Sequence, residues 1–142
     1  MNNPLDELEN IINNFPDQIQ NLSEEDLNYK PSPAKWSKKE IIGHLIDSAL
    51  INYQRFIRAQ SEENPQIFYA QNDYCECADY QNSAIPQLIN LWSAINNQLL
   101  FLMKSVTQKN LTTRKCNDLT LDFLIQDYVS HFNHHKHQIM KN

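Results

Sequence analysis

The sequence predicts an all-α fold, a four-helix bundle with one long crossover connector, and three observations carry that prediction. Glycine occurs once in 142 residues, at Gly43, so the chain holds little of the usual chemistry of tight hairpin turns. Leu, Ile and aromatic residues recur at helical spacing in four separate stretches, the pattern of amphipathic helices rather than of alternating strands. The stretches are roughly 20 residues long, which suits the helices of a bundle. Apolar residues make up 41% of the chain. That is enough for a folded core in a chain of about one domain's length, so residues 1–142 are read as a single domain.

The first stretch runs from Pro4 to Leu22, with Leu5, Leu8, Ile11, Ile12, Phe15 and Ile19 on one face. Pro16 is expected to bend or interrupt it, because proline removes a helical donor and clashes with the preceding turn. A short helical turn is expected at Ser23-Glu24-Glu25-Asp26, where Ser can cap and the acids suit a helix N-terminus. Lys30-Pro31-Ser32-Pro33 cannot continue a helix and reads as a connector. The second helix has a clear start: Ser37 followed by Glu40 is a capping box, and Trp36 precedes it as a staple residue. It is expected from Ser37 to Gln60.

A long connector follows, Glu62 to Asn82, holding Phe68, Tyr69, Tyr74, Tyr80 and two cysteines. So many aromatics predict that it packs over the bundle. The third helix is expected from Ser83 to Val106, with Pro86 tolerated in its first turn. Its stripe reads Leu88, Trp92, Ile95, Leu99, Leu102 and Val106. After a polar loop, Thr120 can cap the fourth helix, which continues to Lys141.

Charge and cysteine content exclude several function classes. The formal net charge is −5 and no Lys/Arg cluster forms a basic face, so a nucleic-acid partner is not expected. Cys75, Cys77 and Cys116 are an odd number without framework spacing, which fits a reducing cytoplasm. Met1 to Asn10 carries acids and asparagine rather than a basic and then apolar run, and is not read as a signal peptide. No apolar run approaches the ~20 residues of a membrane span.

The histidines are the chemical signal. Four of the five crowd into His131-Phe132-Asn133-His134-His135-Lys136-His137. A helix advances about 100° per residue, so their directions can be worked out from the apolar stripe Leu121, Leu124, Ile125, Tyr128, Phe132 and Ile139. His131 and His135 fall within that arc, one turn apart. His134 lies at its edge and His137 points to solvent. The i, i+4 spacing brings two imidazoles within reach of one ion. His44, on the face of the second helix that carries Leu45 and Ile51, supplies a third. Three inward imidazoles would leave polar nitrogens unsatisfied in a core. A divalent metal resolves this, and three histidines with open positions describe a reactive site rather than a closed structural one.

Asp47, Ser48 and Arg55 follow His44 along the same helix. Asp47 is a candidate to orient a ligand imidazole or to bind the metal or its water. A solvated face or a salt bridge is the plainer alternative for Asp47 and Arg55. Cys75 and Cys77 form a C-x-C without a second pair, a weak ligand signal.

Leu22-Ser23-Glu24-Glu25-Asp26-Leu27, Pro33-Ala34-Lys35-Trp36-Ser37, Glu40-Ile41-Ile42-Gly43-His44-Leu45-Ile46-Asp47-Ser48 and the ending His131 to Ile139 together resemble the DinB-like superfamily. The YfiT-type branch is the most similar, with an Arg one helix length on, here Arg55, and a connector like Asn64-Pro65-Gln66-Ile67-Phe68-Tyr69. The resemblance spans about residues 20 to 140. It implies a four-helix bundle holding a divalent metal ion, Zn or Ni, on the histidines matching His44, His131 and His135. It also implies a small-molecule thiol or other small substrate, and a homodimer. Some relatives transfer low-molecular-weight thiols such as bacillithiol or mycothiol onto electrophiles, and others are named only as metal-dependent hydrolases. The sequence departs from the pattern in having no Trp around Cys75 to Cys77.

Three functions follow. The first expectation is thiol transfer, in which the metal lowers the thiol's pKa and Arg55 holds an anionic group. The alternative is a hydrolase, with Asp47 as a base. The third is a non-enzymatic metal-sensing or interaction domain.

Overall fold

The computed structural model describes residues 3–141 and is helical nearly throughout. Six helices are present among the described residues: α1 (Pro4–Gln20), α2 (Glu24–Asn28), α3 (Lys38–Ser61), α4 (Gln71–Cys77), α5 (Ile85–Gln108) and α6 (Leu121–Met140). The long helices α1, α5, α3 and α6 form a closed ring in that order, each packed against its two neighbours. This is the four-helix bundle predicted from the spacing.

Local signals explain where the helices begin. Ser37 caps α3 and makes the full capping box with Glu40, satisfying two otherwise orphaned donors. Ser23 caps α2 and Thr120 caps α6 through their hydroxyls. Of the two effects expected at Pro16, a bend or an interruption, the interruption does not occur: helix α1 runs through it. Leu8, Ile11, Ile12, Phe15 and Ile19 are all buried along its length, and burial of that face on both sides of the proline outweighs one lost helical bond.

The stripe of α5 is rotated slightly from the predicted one. Leu88, Trp92, Asn96, Leu99, Met103 and Val106 are buried, while Ile95 and Leu102 are only partly covered. Asn96 is the unexpected member. Its carboxamide oxygen accepts from the Tyr128 hydroxyl of α6 at 2.5 Å, and its nitrogen donates to the Trp92 carbonyl. A polar pair inside the ring is thereby satisfied.

The connector is more ordered than the sequence suggested. It contains α4 and a 3-10 turn at Tyr80–Asn82, and both pack on α3. Helix α4 starts at Ala70 without a side-chain cap, so it carries no sequence start signal. The loop before α6 holds a small antiparallel hairpin, β1 (Lys115–Cys116) and β2 (Leu119–Thr120). Its turn is Asn117-Asp118, both at positive φ, a conformation that Asn and Asp tolerate better than most residues. Asn117 also ties the hairpin to the connector, accepting from the Ile67 N–H at 2.7 Å and donating to its carbonyl at 3.0 Å.

Because α2, α4, the 3-10 turn and β1 all pack on α3, this helix is the hub of the molecule. Every residue from Lys39 to Ala49 is buried. His44 lies in the middle of that run.

Candidate metal centre

His44 from α3 meets His131 and His135 from α6. The Nε2 atoms of His44 and His131 lie 3.2 Å apart, and those of His131 and His135 lie 3.1 Å apart. One ligand atom from each ring falls within 4.8 Å of the others, and among the described residues this is the group of His, Cys, Asp and Glu able to hold an ion. His44 is 2% exposed and the other two are half-buried. The helical directions inferred for the C-terminal cluster therefore hold: His134 and His137 are exposed and stand outside the group.

The donor set fits a metal. An imidazole nitrogen offers one proton or one lone pair, so His131 Nε2 can satisfy one neighbouring nitrogen and not two. Ligands about 2.0–2.1 Å from a tetrahedral ion stand about 3.3 Å from each other, and two of the three separations here are 3.2 and 3.1 Å. The rings are also held neutral, as metal binding requires. Burial, with the neighbouring His135 and His131, pushes His44 down to about 3. Burial and His135 push His131 down to about 4. Burial lowers His135 as well.

The outer contacts set ring orientation. His135 Nδ1 lies 2.8 Å from Gln138 Oε1. A carboxamide oxygen only accepts, so Nδ1 carries the proton and Nε2 keeps its lone pair for an ion. The Gln138 amide nitrogen lies 3.5 Å from His134 Nε2, so a surface histidine borders this contact. The Tyr69 hydroxyl approaches His44 Nδ1 at 3.5 Å, and the Trp36 ring lies against His44 with centroids 4.9 Å apart. From the sequence Tyr69 is expected to pack over the bundle, but neither it nor Gln138 is expected to contact the histidines. Gln138 had a signal, since it follows His135 by three residues and so shares its face.

Asp47 is 6% exposed, and its recorded hydrogen bond goes to the connector, not to an imidazole. Its Oδ1 accepts from the Tyr80 hydroxyl at 2.5 Å, and its Oδ2 is buried without a partner. Burial raises the carboxyl pKa, although the Tyr80 bond works to lower it. Gly43 makes room for this pair: a Cβ there would lie 2.1 Å from the Tyr80 ring. Cys75 is buried among Glu40 and Asp47, and burial with those acids pushes its thiol up to about 12. It is therefore a protonated packing residue, and Cys77 is exposed and outside the group.

Arg55 sits three turns beyond His44, and its Nε and Nη2 donate to the Ile67 carbonyl at 3.2 and 2.8 Å. It lines a cavity of about 170 Å³ together with His44, His131, Ser48, Asn52, Tyr69 and Asp127. A wider groove of about 630 Å³ opens at His135, walled by Trp36, Lys35, Asn72, Gln138 and Lys141. Gln71 borders both. The triad thus stands between a small polar cavity and a larger groove, an arrangement that can hold a small substrate against an ion. A further cavity of about 420 Å³, lined by Lys30, Glu40 and Cys75, holds none of the three histidines.

Comparison with known proteins agrees with this geometry. The profile of the DinB superfamily matches residues 7–139. A Bacillus mycoides protein provisionally named a metal-dependent hydrolase is 24% identical over 135 residues, covering 92% of this chain and 78% of the relative. A protein of Oceanobacillus iheyensis with the same provisional name is 24% identical over 140 residues, covering 95% of this chain and 81% of the relative. Among solved structures, YfiT from Bacillus subtilis superposes with a TM-score of 0.84 at 22% identity, covering 96% of this chain and 81% of that one. It is described as a probable metal-dependent hydrolase with an unusual four-helix bundle topology, and the likeness establishes the fold.

Proposed function

The chain belongs to the DinB superfamily, and from that premise we propose that it is a metal-dependent hydrolase whose divalent ion is held by His44, His131 and His135. The observation that carries this reading is the convergence of three Nε2 atoms at 3.1 and 3.2 Å, which hydrogen bonding alone cannot satisfy. When bound, a divalent ion supplies Lewis acidity, polarising a carbonyl and lowering the pKa of water. Zn and Ni both accept imidazole nitrogen.

The chain's own residues then do the remaining work. Gln138 fixes the tautomer of His135, and Trp36 closes one side of His44. Asp47 supports the wall of the site by holding Tyr80 against α3. Among the described residues no carboxylate belongs to the triad group itself, and Asp47 is engaged by the Tyr80 hydroxyl, so in this reading Asp47 is a supporting residue rather than the base. Asp127, exposed on the rim of the small cavity one turn before His131, is the carboxylate better placed to take a proton.

Thiol transfer, the first expectation from the sequence, would use the same three ligands. The names of the relatives favour hydrolysis instead, so the hydrolase takes precedence here. The test is metal analysis of untagged protein followed by an ester and amide panel with and without chelator. About one ion per chain, none in His44→Ala, and chelator-sensitive hydrolysis support the reading. A rate indifferent to chelator overturns it.

A further inference from the structure

We propose that the small cavity beside the triad is an anion site, in which Arg55 holds a carboxylate on the acyl portion of the substrate. The hydrolase reading is its premise for the reaction, though not for the binding. Arg55 is a half-buried cation, and its recorded partner is the neutral carbonyl of Ile67. Among the described residues no carboxylate lies within salt-bridge distance of it, whereas Arg58 is paired with Glu62. The Ile67 bonds use Nε and Nη2 and leave Nη1 free. Asn117 grips the same Ile67 peptide from the hairpin, so the guanidinium is positioned in advance. A fixed cation with no carboxylate in salt-bridge contact among the described residues, bordering a polar cavity, is suited to take an anion from outside.

The size of the cavity limits the ligand. A volume of about 170 Å³ holds a group of only a few heavy atoms, and a short acyl chain fits within it. Arg55 follows His44 by 11 positions, about 16 Å along the helix axis. Both residues line the same cavity, so a bound chain can reach from one to the other. A chain of about five carbons, with a carboxylate at one end and the scissile carbonyl at the other, is of a size this cavity holds. The departing group would lie in the wider groove by Trp36. In the reaction, the bond from the acyl carbon to the departing nitrogen or oxygen breaks and the oxygen of water bonds to that carbon. One proton of the water leaves with the departing group and the other with the new acid. The substrate class is therefore the half-amides and half-esters of short dicarboxylic acids.

The test is calorimetric binding to the full chain, once reloaded with Zn and once after chelation. The probes are glutaramate and its neutral counterpart glutaramide. In both metal states glutaramate is expected to bind about tenfold more tightly or better, as suits a charge-assisted contact. The preference collapses in Arg55→Gln, whose folding is checked by circular dichroism. Asp127→Asn removes a negative charge from the exposed rim, so it raises the affinity for glutaramate relative to glutaramide whatever the fate of the Arg55 variant. Equal binding of the two probes overturns the anion site, as does a preference that survives in folded Arg55→Gln or ignores Asp127→Asn. If glutaramate binds through Arg55 while no substrate is turned over, the hydrolase reading fails alone. Turnover without carboxylate preference removes the anion site alone.

Discussion

Gln138 shows how much one neutral side chain can decide. By accepting from His135 Nδ1 at 2.8 Å it selects the tautomer that leaves Nε2 open. Gln138→Leu should therefore lower metal affinity about 10- to 100-fold, the usual effect of losing an outer partner of a ligating histidine. The residue is exposed, so thermal stability of the chelated protein should not move, and competition with a metal indicator would show a change in affinity alone. An unchanged affinity would assign His135 another source of orientation. The pH dependence belongs to the same residues. In the metal-free chain His44 and His131 titrate at about 3 and about 4, well below an ordinary histidine. The unfolded chain thus takes up protons first as pH falls. The stability they contribute is full above about 6.5 and drains away toward the folded values. Urea midpoints of chelated protein should fall between pH 7 and 5, and His44→Leu should flatten that slope. The triad itself was legible in the sequence because i, i+4 spacing and one apolar stripe fix direction without any tertiary knowledge. The partner of Asp47 was not, because Tyr80 reaches it from a connector 33 residues away and no local pattern encodes that meeting.

At the level of elements, helix starts were legible wherever a side chain caps, as at Ser23, Ser37 and Thr120. Helix α4 and the hairpin escaped because their signals are weak or substituted: α4 has no capping side chain, and the turn uses Asn117-Asp118 in place of glycine. A chain with a single glycine still needs left-handed backbone, and it places Asn64, Asp79, Asn110, Asn117 and Asp118 there. The glycine it does keep serves close packing. At Gly43 a Cβ would overlap the root of the Tyr80 ring at 2.1 and 2.2 Å, and the Asp47 bond holds that ring from its far end. Gly43→Ala must push the 3-10 turn away from α3, and overpacking of this kind costs about 1–3 kcal/mol. Urea unfolding would register the loss. A neutral outcome would mean the connector can slide without penalty, and that Asp47 does not need Tyr80.

Across the whole molecule the triad acts as a clasp. Its candidate ligands come from α3 and α6, 87 positions apart from His44 to His131, and the closed ring of helices brings them together. Phe15, Trp92 and Phe132 meet in tilted and edge-to-face contacts at centroid distances of 4.8, 5.0 and 5.7 Å, so the aromatic core and the candidate metal site meet the same helix from two sides. An ion bound by all three ligands binds the native state far better than the unfolded chain, which keeps only the i, i+4 pair of α6. Ligand binding of that kind stabilises by about 2.7 kcal/mol when the free ion stands at about 100 times its dissociation constant. Zn added to chelated protein should therefore raise the urea midpoint in proportion to the logarithm of its concentration. In His44→Ala the gain should shrink sharply, because only two of the three imidazoles remain to hold the ion in the folded chain. A gain of equal size in that variant would place the ion on α6 alone and would take His44, the most deeply buried of the three, out of the metal centre.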